Sequence, residues 1–231
     1  MKKLSVVTVL YPFAVKGEKT QTLFEALIPS LQQCDDMEAI ELSIVDCGTE
    51  DIYGRNRKYD YRVPMWRAAS MLNNLVYTQR ECIVDGAWHM SQALHYAVEQ
   101  ATSDYIFVVG IDIILPKNLL KLYANNVKMG KEVWVPRCYN ILPGQPWRIP
   151  DKPERYNGWR TARGLMGMAK YDYYSCGGYP THKVGFRVGI DAHLLRRAEQ
   201  RYKVNEFRCE GLFHLHHMDS NATMRSRLER E

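Results

Sequence analysis

A few acidic side chains and a run of histidines stand where this sequence can do chemistry. Asp112 follows the apolar run Tyr105 to Val109 with only Gly110 and Ile111 between them. A carboxylate just beyond a strand of Ile, Phe and Val is costly to bury without a partner. A hard divalent cation that also bridges diphosphate oxygens satisfies it. A turn or helix cap ahead of Pro116 does so too, and the residues alone leave both readings open. Asp46 closes a second apolar run, Ile40 to Val45, and begins the polar turn Cys47-Gly48-Thr49-Glu50-Asp51. Asp191 opens an amphipathic segment, where a helix cap also favours aspartate. His214, His216 and His217 fill three of four consecutive positions, and imidazole suits Mn2+-like or softer ions. Strand alternation puts His214 and His216 on one face. Trp147, Tyr156 and Trp159 are interleaved with Arg148, Arg155, Arg160 and Arg163. That mixture suits stacking on a sugar or an extruded base, a lid that excludes water, or a loop packed on its own aromatics.

These residues need elements to hold them. The β-branched run Leu4 to Tyr11, stopped by Pro12, reads as a strand buried on both faces. Thr20 to Leu31 has helical spacing at Leu23, Ala26, Leu27 and Leu31, and Ile40 to Val45 is a second strand. The clearest helix runs from His89 to Ala101, with Met90, Ala93, Leu94, Ala97, Val98 and Ala101 on one face. A third buried strand, Tyr105 to Val109, and an amphipathic helix through Leu119, Leu120, Tyr123 and Val127 follow. Further on come a short strand at Val133 to Pro136 and an irregular stretch over 141–163. A strand at Leu165 to Ala169, a Gly177-Gly178 turn, a helix from Ile190 to Tyr202 and a strand from Phe207 to Phe213 complete the chain. Strands alternating with helices predict an α/β fold with a mostly parallel sheet covered on both faces. In such sheets ligands bind beyond the carboxyl ends of the strands, which selects Leu10, Tyr11, Asp46 and the segment Gly110 to Asp112.

Composition narrows the function class. A chain of 231 residues with 46% hydrophobic and 25% charged residues buries a globular core without staples. Its six cysteines include no CxxC pair, so buried free thiols fit better than a disulfide framework or a zinc knuckle. No apolar run approaches the roughly 20 residues of a membrane span. The N-terminal run lacks a small-residue cleavage site, so a cytoplasmic protein is expected. The net charge of +5 suits an anionic ligand, either a sugar nucleotide or a nucleic acid. Arg55, Arg57, Lys58 and Arg62, and the tail arginines Arg225, Arg227 and Arg230, read as solvated surface.

The order of motifs resembles the family 2 glycosyltransferases of the GT-A type. Ala93-Leu94-His95-Tyr96-Ala97, then Ser103-Asp104-Tyr105-Ile106, then Gly110-Ile111-Asp112 look like that family's helix, strand and Asp-x-Asp motif. Val45-Asp46-Cys47-Gly48-Thr49-Glu50-Asp51 resembles its VDDGSTD loop, and Val9-Leu10-Tyr11 stands where its Pro-Thr-Tyr does. Tyr173 to Tyr179 is similar to the segment ending in a GGY turn. Gly189-Ile190-Asp191-Ala192-His193-Leu194 with Arg197 is similar to GEDxDL…R of the galactosyltransferase-like members. His214-Leu215-His216-His217 is similar to their HLxH. Three positions depart from the pattern: Gly110 replaces the first Asp of Asp-x-Asp, Cys47 the second Asp of VDDG, and Ile190 the Glu of Glu-Asp. The helix Asn is His95.

The resemblance implies one glycosyltransferase domain over 1–231, with a nucleotide-binding lobe over 1–115 and an acceptor lobe over 116–231. It implies a hexosyl- or pentosyltransferase that moves a sugar, with inversion, from a UDP-sugar to a hydroxyl, most simply on a glycan. Leu10, Tyr11, Asp46 and Asp112 are implied to bind the nucleotide sugar. A divalent metal, Mn2+ or Mg2+, is implied at Asp112, His214 and His217, and Asp191 is implied as the base. His182 and His193 read as acceptor-lobe or surface residues. Two alternatives stay open: transfer to hydroxylated bases of DNA, and a nucleotide-sugar or nucleic-acid binding module without catalysis.

Overall fold

The computed structural model describes residues 3–10, 26–47, 71–80, 82–84, 87–142, 145–149, 158–161, 164–181 and 190–215. Leu4–Leu10 (β1) and Ile40–Asp46 (β2) are buried at every position, as strands covered on both faces must be. Between them lies a short helix, Ile28–Gln32 (α1), with Pro at its start. It is the end of the helix expected over Thr20 to Leu31; residues 20–25 lie outside the described residues. A half-buried strand, Leu75–Gln79 (β3), follows β2, and Ile83–Val84 (β4) pairs antiparallel with Ala87–Trp88 (β5). The helix Met90–Gln100 (α2), the strand Tyr105–Val108 (β6), a two-residue strand Ile113–Ile114 (β7) and the helix Leu119–Asn126 (α3) come next.

The remaining elements are Glu132–Trp134 (β8), Arg137–Ile141 (β9), Gly158–Thr161 (β10), Met166–Ala169 (β11), Lys170–Ser175 (α4), Ile190–Glu199 (α5), Lys203–Asn205 (β12) and Arg208–Leu215 (β13). A seven-stranded sheet has the order β12-β8-β11-β6-β1-β2-β3. It is parallel except for β11, which runs against both neighbours. A second sheet, β10-β9-β13-β7, is built mainly from the later part of the chain. The stretch expected to be irregular over 141–163 thus contains a strand: β10 pairs with β9, and Trp159 meets Tyr139 edge-on at 5.4 Å. Four residues are too short for period-2 alternation to stand out among Pro, Gly and Arg.

Period-2 alternation divides the core. Val7, Val9, Val45, Ile106 and Val108 face α2 through Ala93, Leu94, Ala97 and Val98. Leu4, Val6, Leu42, Ile44 and Phe107 face the other way, toward Leu27, Leu31, Leu119, Tyr123 and Trp134. The buried Ser5, Glu41 and Ser43 side chains of β1 and β2 all have partners. Ser43 Oγ donates to Ala97 O at 2.7 Å, and Gln100 Nε2 donates to Ile44 O at 2.9 Å, which ties α2 to the sheet. Glu41 accepts from Ser5 Oγ at 2.8 Å and from Thr102 N at 2.9 Å, fastening the turn into β6. Tyr123 Oη lies between β6 and β11, 2.9 Å from Ile106 O and 2.8 Å from Met168 O, and its one proton serves these two carbonyls. Gly167 makes room for it, since a Cβ there would lie 2.8 Å from the Tyr123 ring. No described helix is long and apolar enough to cross a membrane.

Candidate metal and nucleotide site at the carboxyl edge of the sheet

Register sets the first part of the site. Leu10, Asp46 and Gln79 are neighbours across the last rung of β1, β2 and β3. The chain leaves β2 with Cys47 N donating to Leu10 O at 2.9 Å. Asp46 is buried, and Tyr77 Oη donates to its Oδ2 at 3.0 Å. Burial and the adjacent carboxylate push the Tyr77 phenol well up from its ordinary value, so it stays a donor. Two acids on one strand therefore have different surroundings. Glu41 is enclosed by the turn into β6, whereas Asp46 stands at the end where a parallel sheet opens to ligands. Tyr11 lies outside the described residues.

Asp112 lies three residues past Val109, whose amide is held by Val7 O at 2.9 Å. Its carboxylate folds back over Gly110, where a Cβ would come within 2.3 Å of Asp112 Oδ1. The altered motif is therefore coupled: with Asp112 in this rotamer, residue 110 has no space for any side chain. His214 reaches Asp112 from β13, whose pairing aligns His214 with Ile113 of β7 and Asn140 of β9. Leu215 N donates to Asp112 O at 2.9 Å and locks this register.

The imidazole is oriented from behind. His214 Nδ1 lies 2.7 Å from Asn140 Oδ1, and Nε2 lies 3.5 Å from Asp112 Oδ2. With the amide oxygen accepting, Nδ1 carries a proton and Nε2 is turned toward the carboxylate. Two such groups facing each other at this distance are placed to share a cation. A separation of 3.5 Å lets both atoms lie about 2.1 Å from one ion. A hard carboxylate oxygen with an imidazole held by a second hydrogen bond is a fitting donor set for a divalent metal. Among the described residues no group of three or more His, Cys, Asp or Glu comes together to hold a metal ion. His216 and His217 lie outside the described residues.

Asp191 arrives from the other half of the sheet. α5 begins at Ile190, so Asp191 sits inside its first turn and is not the cap. Its Oδ2 lies 3.4 Å from where a Cβ on Gly164 would be, and its Oδ1 accepts from Tyr179 Oη at 3.3 Å. Because β11 runs backwards, Met166 pairs with Val108 at the carboxyl end of β6. Gly164 precedes Met166 by two residues and so lies beyond that end, on the edge that carries Asp112. Burial raises the Asp191 carboxyl above its ordinary value, and the Tyr179 hydroxyl works against that rise.

The surroundings of Tyr179 give a physical role to residues that the sequence marked only as motif positions. Gly177 and Gly178 have φ of 78° and 56°, the left-handed region that glycine enters without strain. Tyr173 Oη accepts from Tyr179 N at 2.9 Å and meets His95 Nδ1 at 2.9 Å. Burial lowers the His95 pKa, against a weaker opposing effect of Glu99, which favours the neutral ring. Arg197 donates to Gly178 O, so this arginine holds the turn. Asn140, by contrast, was not marked in the sequence. Its signal is a buried amide in the run Cys138-Tyr139-Asn140-Ile141, where a polar group requires a partner. Of the Trp and Arg residues, Trp159 packs on Tyr139 with Arg208 5.7 Å over its ring, whereas Trp147 and Arg148 are exposed. His193 is exposed on α5.

A scan of the sequence against protein-family models found no match, and a search of curated proteins found none. Solved structures do match. The crystal structure of S. aureus TarS residues 1–349 superposes with a TM-score of 0.62 at 15% identity, covering 92% of this chain and 60% of that one. Its complex with UDP-GlcNAc gives 0.60 at 15% identity, covering 94% and 59%, and its complex with UDP gives 0.59 at 15% identity, covering 93% and 60%. This chain thus spans about 60% of the length of those neighbours. The fold is the GT-A type, a large mixed α/β sheet flanked by helices, shared with TarS, a glycosyltransferase.

Proposed function

We propose that this chain is a glycosyltransferase. It takes a UDP-type nucleotide sugar, holds the diphosphate through a divalent cation at Asp112 and His214, and passes the sugar with inversion to a hydroxyl. The observation that carries this reading is the opposition of Asp112 and His214 across 3.5 Å, with the imidazole fixed by Asn140. Asp191 stands on the same sheet edge. Similarity to TarS, solved with UDP and with UDP-GlcNAc, supports a uridine donor.

The residues then have distinct tasks. Asp46, backed by Tyr77, and Leu10 line the place for the nucleoside beyond β1 and β2. A metal ion would supply positive charge to the leaving diphosphate. Asp191 accepts the proton of the acceptor hydroxyl as that oxygen bonds to the anomeric carbon. The bond from the anomeric carbon to the diphosphate oxygen breaks at the opposite face, and its electron pair leaves with the UDP. A carboxyl raised by burial is a stronger base than an ordinary aspartate, which suits this step. A glycan hydroxyl is the acceptor this arrangement serves most simply; among the described residues no observation favours a DNA base.

Thermal unfolding with UDP and Mn2+, each alone and together, tests the site. Ligand at about a hundred times its Kd stabilises the folded state by about 2.7 kcal/mol. UDP is expected to raise Tm by several degrees in the presence of Mn2+ and little without it. Asp112→Asn or His214→Ala is expected to remove the Mn2+-dependent part. A UDP response that is indifferent to Mn2+ and to both substitutions overturns the site.

A further inference from the structure

The GGY turn leaves a buried phenol on Asp191, and its surroundings show how firmly that phenol is placed. Tyr179 is 1% exposed. Three elements grip three consecutive residues around it. Arg197 of α5 donates to Gly178 O, Tyr173 of α4 accepts from Tyr179 N at 2.9 Å, and Ser91 of α2 donates to Pro180 O at 2.6 Å. The grips are themselves held. Ser91 Oγ lies 2.8 Å from His89 Nδ1, and Tyr173 Oη lies 2.9 Å from His95 Nδ1. Backbone held at consecutive residues by separate elements leaves the Tyr179 ring little freedom to move. Its hydroxyl ends 3.3 Å from Asp191 Oδ1, and a carboxylate offers it only acceptor atoms.

We propose that Tyr179 is the positioning residue of the base. Its hydroxyl binds Asp191 Oδ1 and favours the ionised carboxylate in a half-buried place. Oδ2, the oxygen beside Gly164, is left to take the acceptor's proton. Gly164 is compatible with this division of labour, because even a Cβ there would meet Oδ2 only at ordinary contact distance, 3.4 Å. Among the described residues, Tyr179 is the titratable group that faces Asp191. On Asp191's own helix, His193 is exposed and Arg197 turns to the Gly178 carbonyl. This inference rests on the reading of Asp191 as the base.

The test compares pH–rate profiles of native protein, Tyr179→Phe and Asp191→Asn, using UDP-GlcNAc and a hydroxyl acceptor on which the native protein turns over. The hydroxyl deletion removes the hydrogen bond that favours the ionised carboxylate, so the acidic limb of kcat/KM moves to higher pH. The rate falls about five- to ten-fold more at the acidic end than on the plateau. Donor KM stays at the native value, because the phenol touches the base and not the nucleotide. Should Tyr179→Phe not fold, Ser91→Ala gives the same direction with smaller size, since it frees Pro180 O and leaves the phenol present. Profiles that superimpose on native while Asp191→Asn is inactive overturn the role of Tyr179 alone. Transfer at the native rate by Asp191→Asn overturns the base and Tyr179 together.

Discussion

Asp191 stores an opposition between stability and use. Its carboxyl is raised by burial, so the folded state binds that proton more tightly than the unfolded chain does. The sign follows: this group favours folding below the ordinary carboxylate range, and that advantage is lost as pH rises from the ordinary value through the raised one. At neutral pH the folded protein carries a desolvated charge with one phenolic partner. Asp191→Asn is therefore expected to raise Tm at neutral pH by roughly 2–4 °C while abolishing transfer, and to confer little change in Tm at pH 3. Paired melting curves and transfer assays read both; a lower Tm at neutral pH would contradict the assignment of burial as the dominant influence. At this scale the sequence showed acids but not their partners. Asp46, Asp112 and Asp191 were legible from their place after strands or at a helix start. Asn140, Tyr77 and the Tyr179 hydroxyl were not, because they matter through distance in space and carry no spacing signal.

Elements were legible where burial was strong on both faces or on one helical face. Leu4–Leu10, Ile40–Asp46, Met90–Gln100 and Tyr105–Val108 differ from their sequence expectation by a residue or so at the ends. Leu75–Gln79 and Lys203–Asn205, at the two edges of the large sheet, were not read as strands, and both are only partly buried. Edge strands satisfy half their backbone groups and bury half their side chains, so their apolar signature is weak. The Gly177-Gly178 turn was recognised from composition alone, and its conformation explains why glycine stands there. At Gly178, φ is 56° and a Cβ would meet the Tyr173 ring at 2.9 Å. Gly178→Ala is expected to cost about 1–3 kcal/mol in chemical denaturation and to lower transfer through displacement of Tyr179. Native stability and rate in that variant would show that the turn does not hold the phenol.

At the scale of the molecule, the reversal of β11 brings a late segment to the edge formed by early strands, and β13 returns later still to pair with β7. No local pattern announces such pairings, so the mostly parallel sheet was legible but its reversed strand and the second sheet were not. Hydrogen exchange offers a global check. The amide of Leu215, donating to Asp112 O at 2.9 Å, is expected to gain protection when UDP and Mn2+ bind. The amide of Lys3, bonded to Ala39 O at 2.8 Å at the opposite end of the sheet, is expected to stay unchanged. Equal protection at both positions would mean a general tightening and not a response at the edge.

Asp112 and His214 are about a hundred residues apart in the chain, and the pairing of β13 with β7 brings them together. A ribosome therefore releases the carboxylate long before its imidazole, and a nascent chain cannot form the pair until most of it has been made. Pairing between strands so far apart in sequence forms slowly, because the intervening loop must close before the contact rewards it. On the proposed reading, a chain interrupted before β13 has the sheet's central strands and Asp112 but lacks the imidazole that would hold an ion beside it.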